Sequence, residues 1–373
     1  MEAIVSYDRR ADVGFVADAI AVNTARADLV GLDATPLDRR VLIGGTRLKG
    51  HGTGTDNELG ADVASEDIDE VMRAVDEVAV HDIDAFLVIA GLGGGTGSGA
   101  APVVARELRR RYAEPVYGLG ILPGRTEGGI YALNAARSFL TFVEQVDNLL
   151  LFDNDAWRES GESLRTGYDR LNAEIARRLG VLFSAGEITE GQAVGESVVD
   201  ASEIINTLGS GGISTVGYAA TAVERAKARL FARRKPAPDV GDATNRVLST
   251  VRRAALGRLT LPCELAGAER ALLVVAGPPE YLDRRGIERA RRWLEETTGS
   301  MEVRGGDYPL DSDYVAAVVL FSGVTDVPRI EELKGVAVEA QRRMQEIEAE
   351  GPEGLHDLTW SGDGDEDGLD PLF

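Results

Sequence analysis

Residues 91–99 have the sequence Gly91-Leu92-Gly93-Gly94-Gly95-Thr96-Gly97-Ser98-Gly99, with six glycines in nine positions. Residues 85–90 before it are apolar and partly β-branched, which predicts a buried parallel strand. Residues 100–112 after it are helix formers, with Pro102 near the start, where a missing N–H is harmless. The glycines therefore join a strand end to a helix start, where doubly wound α/β proteins bind phosphates.

This glycine loop predicts an anion site. Glycine lets the backbone approach a ligand closely, and the loop amides with the hydroxyls of Thr96 and Ser98 would donate to phosphate oxygens. The alternative is a turn without a ligand, in which six glycines would each lower stability without a geometric need. The spacing matches neither G-x-G-x-x-G nor G-x-x-x-x-G-K-[ST], which argues against a dinucleotide-dependent enzyme or an ordinary P-loop.

Composition limits the class of protein. The 373 residues suffice for two domains, and no apolar run approaches the roughly 20 residues that a membrane span needs. Residues at the start lack the charged and apolar regions of a signal peptide. A single cysteine, Cys263, excludes an internal disulfide, so we expect a cytoplasmic protein. The three histidines and that cysteine show no metal-ligand spacing, so we assign no metal ligands.

The charge is strongly negative. A formal net charge of −22 argues against nucleic acid as a partner, because phosphate neutralisation requires excess Lys and Arg. Only four of the 40 basic residues are lysines, a pattern that predicts a halophilic source, where molar salt screens repulsion. The alternative is an ordinary acidic protein whose tail exaggerates the count.

The order of the segments predicts an α/β fold with a parallel, Rossmann-like sheet. Strand-like runs at 19–24, 41–44, 115–122 and 148–154 alternate with helical runs at 66–80 and 131–146. Such a sheet places the polar loops that follow its strands on one edge. These loops contain Gly54 and Asp56, Glu127, and Asn154.

The rest of the chain predicts a central helix, a second α/β domain and a tail. Tyr168 and Asn172 lie four residues apart on the central helix, so an aromatic ring and an amide share one face. The second domain is predicted to contain helices at 222–234, 242–257 and 282–298, and strands at 271–276, 301–304 and 314–321. The acidic tail is expected to be disordered, and its last residues, 369–373, are either a docking peptide or a plain end. The expected divisions are 1–183 for the domain that contains the predicted anion site and a central helix at about 160–183, 184–210 for a connecting helix and loop, 211–325 for the second domain, 326–350 for a last helix, and 351–373 for the tail.

Asp200 and Glu203 lie three residues apart at a predicted helix start, on the same side. Two carboxylates there could be simple partners of the helix dipole. The spacing alone does not decide between this interpretation and a functional one.

The glycine loop resembles the G-G-G-T-G-[ST]-G signature of the tubulin/FtsZ superfamily. The resemblance covers about residues 12–325 and is closest to CetZ, the tubulin-like family of haloarchaea, in residues 41–60, 118–134, 147–157 and 198–208. It implies a GTP-binding protein that polymerises and influences cell shape.

The same resemblance implies roles for individual residues. Gly93, Gly94, Gly95, Thr96, Gly97, Ser98 and Gly99 would bind the phosphates of GTP or GDP, and the loop with Gly54 and Asp56 would surround the γ-phosphate. Glu127 would meet the ribose, and the guanine would lie among Asn154, Tyr168 and Asn172. Mg²⁺ is implied by the triphosphate.

Asp200 and Glu203 match a D-x-x-[DE] loop that completes the active site of the next subunit. The resemblance therefore implies a GTPase that self-associates into protofilaments, with or without paralogues, and whose monomers are nearly inactive. An unknown protein that docks on the tail is a further expected partner.

One departure from the family pattern opens an alternative. Family members begin with a strand and a G-Q-x-G-G phosphate loop, and this sequence contains neither. Either the start codon is assigned too far downstream, or the chain is a shortened paralogue with weak or no nucleotide binding. The second case predicts a non-catalytic scaffold or regulator that co-assembles with full-length relatives. In both cases we expect the strands beside the gap to expose backbone groups and apolar side chains.

Overall fold

A computed structural model describes residues 1–158, 164–187, 199–223 and 240–350. Nine strands occur in this part of the chain: β1 Ala21–Asn23, β2 Arg40–Leu42, β3 Phe86–Gly91, β4 Val116–Leu122, β5 Asn148–Asp153, β6 Ile213–Ala222, β7 Arg270–Gly277, β8 Glu302–Pro309 and β9 Tyr314–Ser322. The α-helices of the same residues are α1 Glu2–Ala11, α2 Arg26–Val30, α3 Gly45–Leu48, α4 Asn57–Glu66, α5 Ile68–Asp76, α6 Thr96–Arg111, α7 Gly129–Gln145, α8 Asn154–Trp157, α9 Leu164–Gly186, α10 Ala201–Leu208, α11 Val240–Leu256, α12 Arg284–Thr298 and α13 Pro328–Glu350.

Seven of these strands form one sheet in the order β3-β4-β5-β6-β9-β7-β8, and β1 and β2 form a separate parallel pair. Strands β3 to β6 are parallel, as predicted for the first half of the chain. Strand β9 runs antiparallel to both of its neighbours, and β7 and β8 are parallel. The predicted α/β class with a Rossmann-like first half is confirmed.

Helices cover both faces of the sheet. In β5, Leu149 and Leu151 join a core that contains α6 and α7, whereas Leu150 and Phe152 join the core beneath α9. Successive strand residues point to opposite faces, so a strand covered on both sides is apolar throughout. Helix α9 therefore lies at the centre of the molecule, as predicted, and its described part is Leu164–Gly186.

Strand β3 forms one edge of the seven-stranded sheet. Its only partner among the described strands is β4, and its side chains from Phe86 to Ile89 are partly exposed. The expectation that strands beside the gap in the family pattern are exposed stays a prediction. No helix among the described residues is both long enough and apolar enough to cross a membrane.

Several element predictions need correction. Strand β6 was not predicted, and Ala222, expected to begin a helix, ends this strand. Residues 224–234 of that predicted helix lie outside the described residues, as do residues 159–163, 188–198 and the tail, 351–373. The one sheet continues from the first predicted domain into the second through the β5–β6 pairs Leu149–Ile213 and Leu150–Ser214. The domain boundaries stay predictions.

Candidate functional site

The glycine loop occupies the predicted position between β3 and α6. Strand β3 ends at Gly91, and α6 begins at Thr96, with Gly95 at its N-cap and no side-chain cap. The first N–H groups of a helix have no partner within the helix, and the helix dipole adds partial positive charge there. Gly94, Thr96 and Gly97 are partly exposed, so the amides of this turn are accessible to an anion.

A second loop packs directly against the first. A Cβ added at Gly95 would lie 2.0 Å from Thr53 Oγ1, and one added at Gly99 would lie 2.1 Å from the carbonyl oxygen of Asn57. Asp56 caps α4 by accepting from the N–H of Leu59 at 2.9 Å. The structure thus brings the loop with Gly54 and Asp56 beside the glycine loop.

Asn134 and Thr24, which the sequence interpretation missed, form hydrogen bonds that stabilise the arrangement around the glycine loop. The Asn134 amide is 1% exposed and donates to the carbonyls of Thr55 at 2.7 Å and Gly93 at 3.1 Å. The hydroxyls of Thr24 and Thr96 share a hydrogen bond of 2.6 Å, which links the end of β1 to the first turn of α6. The available signal was an amide among the apolar residues of α7, which predicts a buried hydrogen-bonding role.

Ser98 is used inside the loop. Its hydroxyl is buried and donates to the carbonyl oxygen of Gly94, while Ser138 donates to the carbonyl of Ser98 at 2.7 Å. The Ser98 side chain therefore stabilises the shape of the loop, and its donation to a phosphate stays a prediction.

Glu127 and Tyr168 meet, although they lie on different elements. Glu127 accepts from the N–H of Gly124 at 2.6 Å, which fixes the loop after β4. Burial raises the pKa of Tyr168, and the adjacent, hydrogen-bonded Glu127 carboxylate raises that pKa further. Tyr168 is 37% exposed, and Asn172 follows one turn later on α9, also exposed. This surface offers a ring face, an amide and a carboxylate to a ligand.

Asn154 is buried at the start of α8, at the carboxyl end of β5. Strand β5 is adjacent to β4, whose following loop contains Glu127. The predicted ribose and base residues therefore lie along one edge of the sheet, next to the glycine loop after β3.

Asp200 and Glu203 lie elsewhere. Asp200 is the N-cap of α10, and its Oδ1 accepts from the N–H of Glu203 at 3.0 Å. The hydrogen bond from the Ser202 hydroxyl is the main cause of the lowered pKa of Asp200. Asp200 therefore caps α10 within its own subunit, a contact that the sequence interpretation did not include.

Glu203 has the opposite electrostatic environment. Burial raises its pKa, and the Asp200 carboxylate raises it further, against the opposing charges of Arg304 and Arg291. The two neighbouring carboxylates therefore have pKa values shifted in opposite directions.

Helix α10 is attached to the amino-terminal edge of the sheet. Asn148, the first residue of β5, donates to the carbonyl of Leu208 at 3.0 Å, and Arg270, the first residue of β7, donates to the carbonyl of Asn206. The glycine loop follows the carboxyl end of β3. The two carboxylates and the glycine loop of one subunit therefore lie at opposite ends of the sheet.

Two family models match adjoining parts of the chain. Residues 2–162 match the family model "Tubulin/FtsZ family, GTPase domain", and residues 161–339 match "Tubulin-like CetZ, C-terminal domain". Tubulin-like protein CetZ3 of Haloferax volcanii is 65% identical over 377 residues, which cover 100% of this chain and 96% of CetZ3. The chain belongs to the tubulin-like CetZ family. The resemblance inferred from the glycine loop is confirmed.

Solved CetZ structures share the fold. CetZ1 from Haloferax volcanii, a GDP-bound monomer, has a TM-score of 0.82 and 61% identity, covering 91% of this chain and 95% of CetZ1. CetZ2 from the same organism, a GTPγS-bound protofilament, has a TM-score of 0.82 and 47% identity, covering 92% of this chain and 95% of CetZ2. Two CetZ relatives thus carry guanine nucleotides, and one of them is assembled.

Proposed function

We propose that this chain is a GTPase that assembles head to tail and hydrolyses GTP at the contact between subunits. The observation that supports it is the separation of the glycine loop from Asp200 and Glu203 by the length of the sheet. Strand β5 alone, from Asn148 to Asp153, spans roughly 17 Å at about 3.3 Å per residue. Stacking one subunit on another would bring these two ends together, and the solved CetZ2 structure, a GTPγS-bound protofilament, supports assembly of this kind of chain.

In this proposal, the parts of the site have separate tasks. The amides of residues 93–98 and the N-terminus of α6 hold the phosphates and stabilise the negative charge that develops on them. Asp200 and Glu203 of the neighbouring subunit orient the attacking water, because phosphoryl transfer depends mainly on positioning and charge stabilisation. The Tyr168 ring stacks on the guanine, Asn154 and Asn172 bind its edge, and Glu127 binds the ribose.

Mg²⁺ would enter with the triphosphate. Within the described residues, no three His, Cys, Asp or Glu side chains are grouped to hold a metal. Mg²⁺ commonly binds through substrate phosphates, waters and only one or two carboxylates. Asp56 is exposed beside the glycine loop, and its carboxylate is the one that we assign to the surroundings of the Mg²⁺ ion.

The biological role is proposed from the family resemblance alone. We assign this chain to the control of cell shape, in the cytoplasm, with paralogues as co-assembly partners and the tail as a docking segment. Localisation of a tagged chain and imaging of cells that lack it test these assignments.

The test of the proposed function is GTP turnover per subunit as a function of protein concentration, in molar KCl with Mg²⁺. A site completed between subunits predicts negligible turnover below a threshold concentration and a steep rise above it. Sedimentation at the same concentrations should show polymer at the same threshold. Nucleotide binding without turnover at any concentration would instead favour the non-catalytic scaffold.

The raised pKa of Glu203 predicts the pH dependence of turnover. A carboxyl group with a raised pKa takes up its proton at a higher pH than an exposed glutamate, so its charge is lost first as the pH falls. As the pH is lowered, we therefore expect turnover per polymerised subunit to begin to decline at a pH above the range in which an exposed glutamate takes up its proton. The residual turnover of Glu203→Gln should lack this decline, and an identical profile would remove Glu203 from the mechanism.

A further inference from the structure

The last helix reaches the loops of the proposed nucleotide site. Helix α13 packs along α7, and its first turn lies against the ends of β4 and β5. Arg329 contacts the ends of both strands directly, and Glu332 is connected to them through Arg125. The sequence predicted a last helix at 326–350 and gave no indication of these contacts.

Arg329 is buried in this contact. Its side chain is 5% exposed, and its Nη2 donates to the carbonyl of Pro123, immediately after β4, at 2.8 Å. Its Nε lies 3.5 Å from Oδ1 of Asp153, the last residue of β5, whose side chain is 4% exposed. Burying two charges is unfavourable unless their geometry compensates for lost hydration. Apolar side chains would therefore pack this helix at a lower cost in free energy than this ion pair does.

Glu332 completes a chain of ion pairs. Its Oε1 accepts from Arg329 Nη1 at 2.7 Å, and both of its oxygens accept from the Arg125 guanidinium at 2.6–3.0 Å. Arg125 also pairs with Asp155, and its N–H donates to Asp155 Oδ1 at 3.0 Å. The hydrogen bond from Arg125 is the main cause of the lowered pKa of Glu332, so its charge persists at neutral pH.

These contacts fix the spacing of two loops. Arg125 lies two residues before Glu127, and Asp153 and Asp155 flank Asn154. We propose that Arg329 and Glu332 are positioning residues of the nucleotide site, which hold the loop after β4 and the start of α8 at the separation that lets Glu127 and Asn154 bind the same nucleoside. This inference rests on the proposed binding of a guanine nucleotide.

The chain offers a matched pair of variants on one helix. Glu332→Gln removes the charge that binds Arg125 and Arg329, whereas Glu331→Gln removes an exposed carboxylate that pairs with Lys334 at 2.8 Å on the same helix. We expect Glu332→Gln to raise the dissociation constant for GDP by about fivefold to tenfold, since hydrogen bonds to charged groups are the stronger ones. Glu331→Gln should bind like the unmodified chain.

The measurement is titration with GDP below the assembly threshold, at one fixed salt concentration because partly exposed ion pairs are screened. The melting temperature of each nucleotide-free variant and the KM and turnover number in polymers complete the test. A positioning role predicts a raised KM, an unchanged turnover number and equal melting temperatures for the two variants.

Three outcomes would overturn the inference. Equal GDP affinities of the two variants would remove Glu332 from the nucleotide site. A melting temperature of Glu332→Gln well below that of Glu331→Gln would assign it a general structural role. An unmodified chain that binds no GDP would overturn the proposed function itself, and this inference with it.

Discussion

The variant Asp200→Asn should hydrolyse GTP in polymers about a hundredfold or more slowly than the unmodified chain, which is the typical effect of removing one acid–base group. Nucleotide binding should persist, because Asp200 lies at the opposite end of the sheet from the glycine loop of its own subunit. Filaments should also last longer, since their GTP is hydrolysed slowly. Turnover per sedimented subunit, GDP affinity and polymer lifetime measure the three effects.

Asp200 also caps a helix, and the choice of variant separates the two roles. Its Oδ1 accepts from the N–H of Glu203, an N-cap interaction that Asn reproduces about as well as Asp. Asp200→Ala removes the cap and should lower stability by about 1 kcal/mol, whereas Asp200→Asn should leave it close to unchanged. The pair thus distinguishes loss of the carboxylate charge from loss of helix capping.

A catalytic role requires both variants to be equally slow, although only Asp200→Ala is less stable. Turnover that is normal in Asp200→Asn and reduced in Asp200→Ala would mean that Asp200 acts only as a cap. Denaturant unfolding of unassembled protein gives the stability difference without interference from polymers.

The sequence was sufficient to predict the glycine loop and the elements that flank it. The strand, glycine loop and helix around residues 91–99 were predicted from local signals alone, because glycine, β-branched and helix-forming residues each restrict the backbone directly. The relation between Tyr168 and Glu127 required the family resemblance, since no local pattern connects residues on separate elements. Their contact in the structure fits the shared site that the resemblance implied.

The missed features depend on tertiary contacts. Strand β6 contains glycine and alanines with few of the apolar alternations that mark a strand, and its pairing with β9 along nine residue pairs decides its conformation. Arg329 lies in a helix whose sequence resembles any charged terminal helix, and only its burial against Pro123 and Asp153 distinguishes it. Asn134 is similar, because its carbonyl acceptors at Thr55 and Gly93 belong to loops distant in sequence.

The variant Gly99→Ala should destabilise the chain and weaken nucleotide binding together. A Cβ at Gly99 would lie 2.1 Å from the carbonyl oxygen of Asn57 and 2.5 Å from the N of Ala61, and both are backbone atoms of α4 that have little room to move. Replacing a helical glycine by alanine gains about 1 kcal/mol in helix propensity. Overpacking of this kind costs about 3 kcal/mol, so a net loss of about 2 kcal/mol is expected. Thermal unfolding and GDP titration measure the two effects.

Gly94→Ala is the matched control in the same loop. No heavy atom lies within 4 Å of a Cβ added at Gly94, and its φ is outside the positive range, so its stability should equal that of the unmodified chain. Because Gly94 is partly exposed where the phosphates are proposed to lie, this variant should lose affinity for GDP without losing stability. Equal melting temperatures for the two variants would mean that α4 can move away from α6 with little loss of stability. The tight approach of these helices would then have no role in forming the site. A stable Gly94→Ala that binds GDP normally would place the phosphates away from this turn.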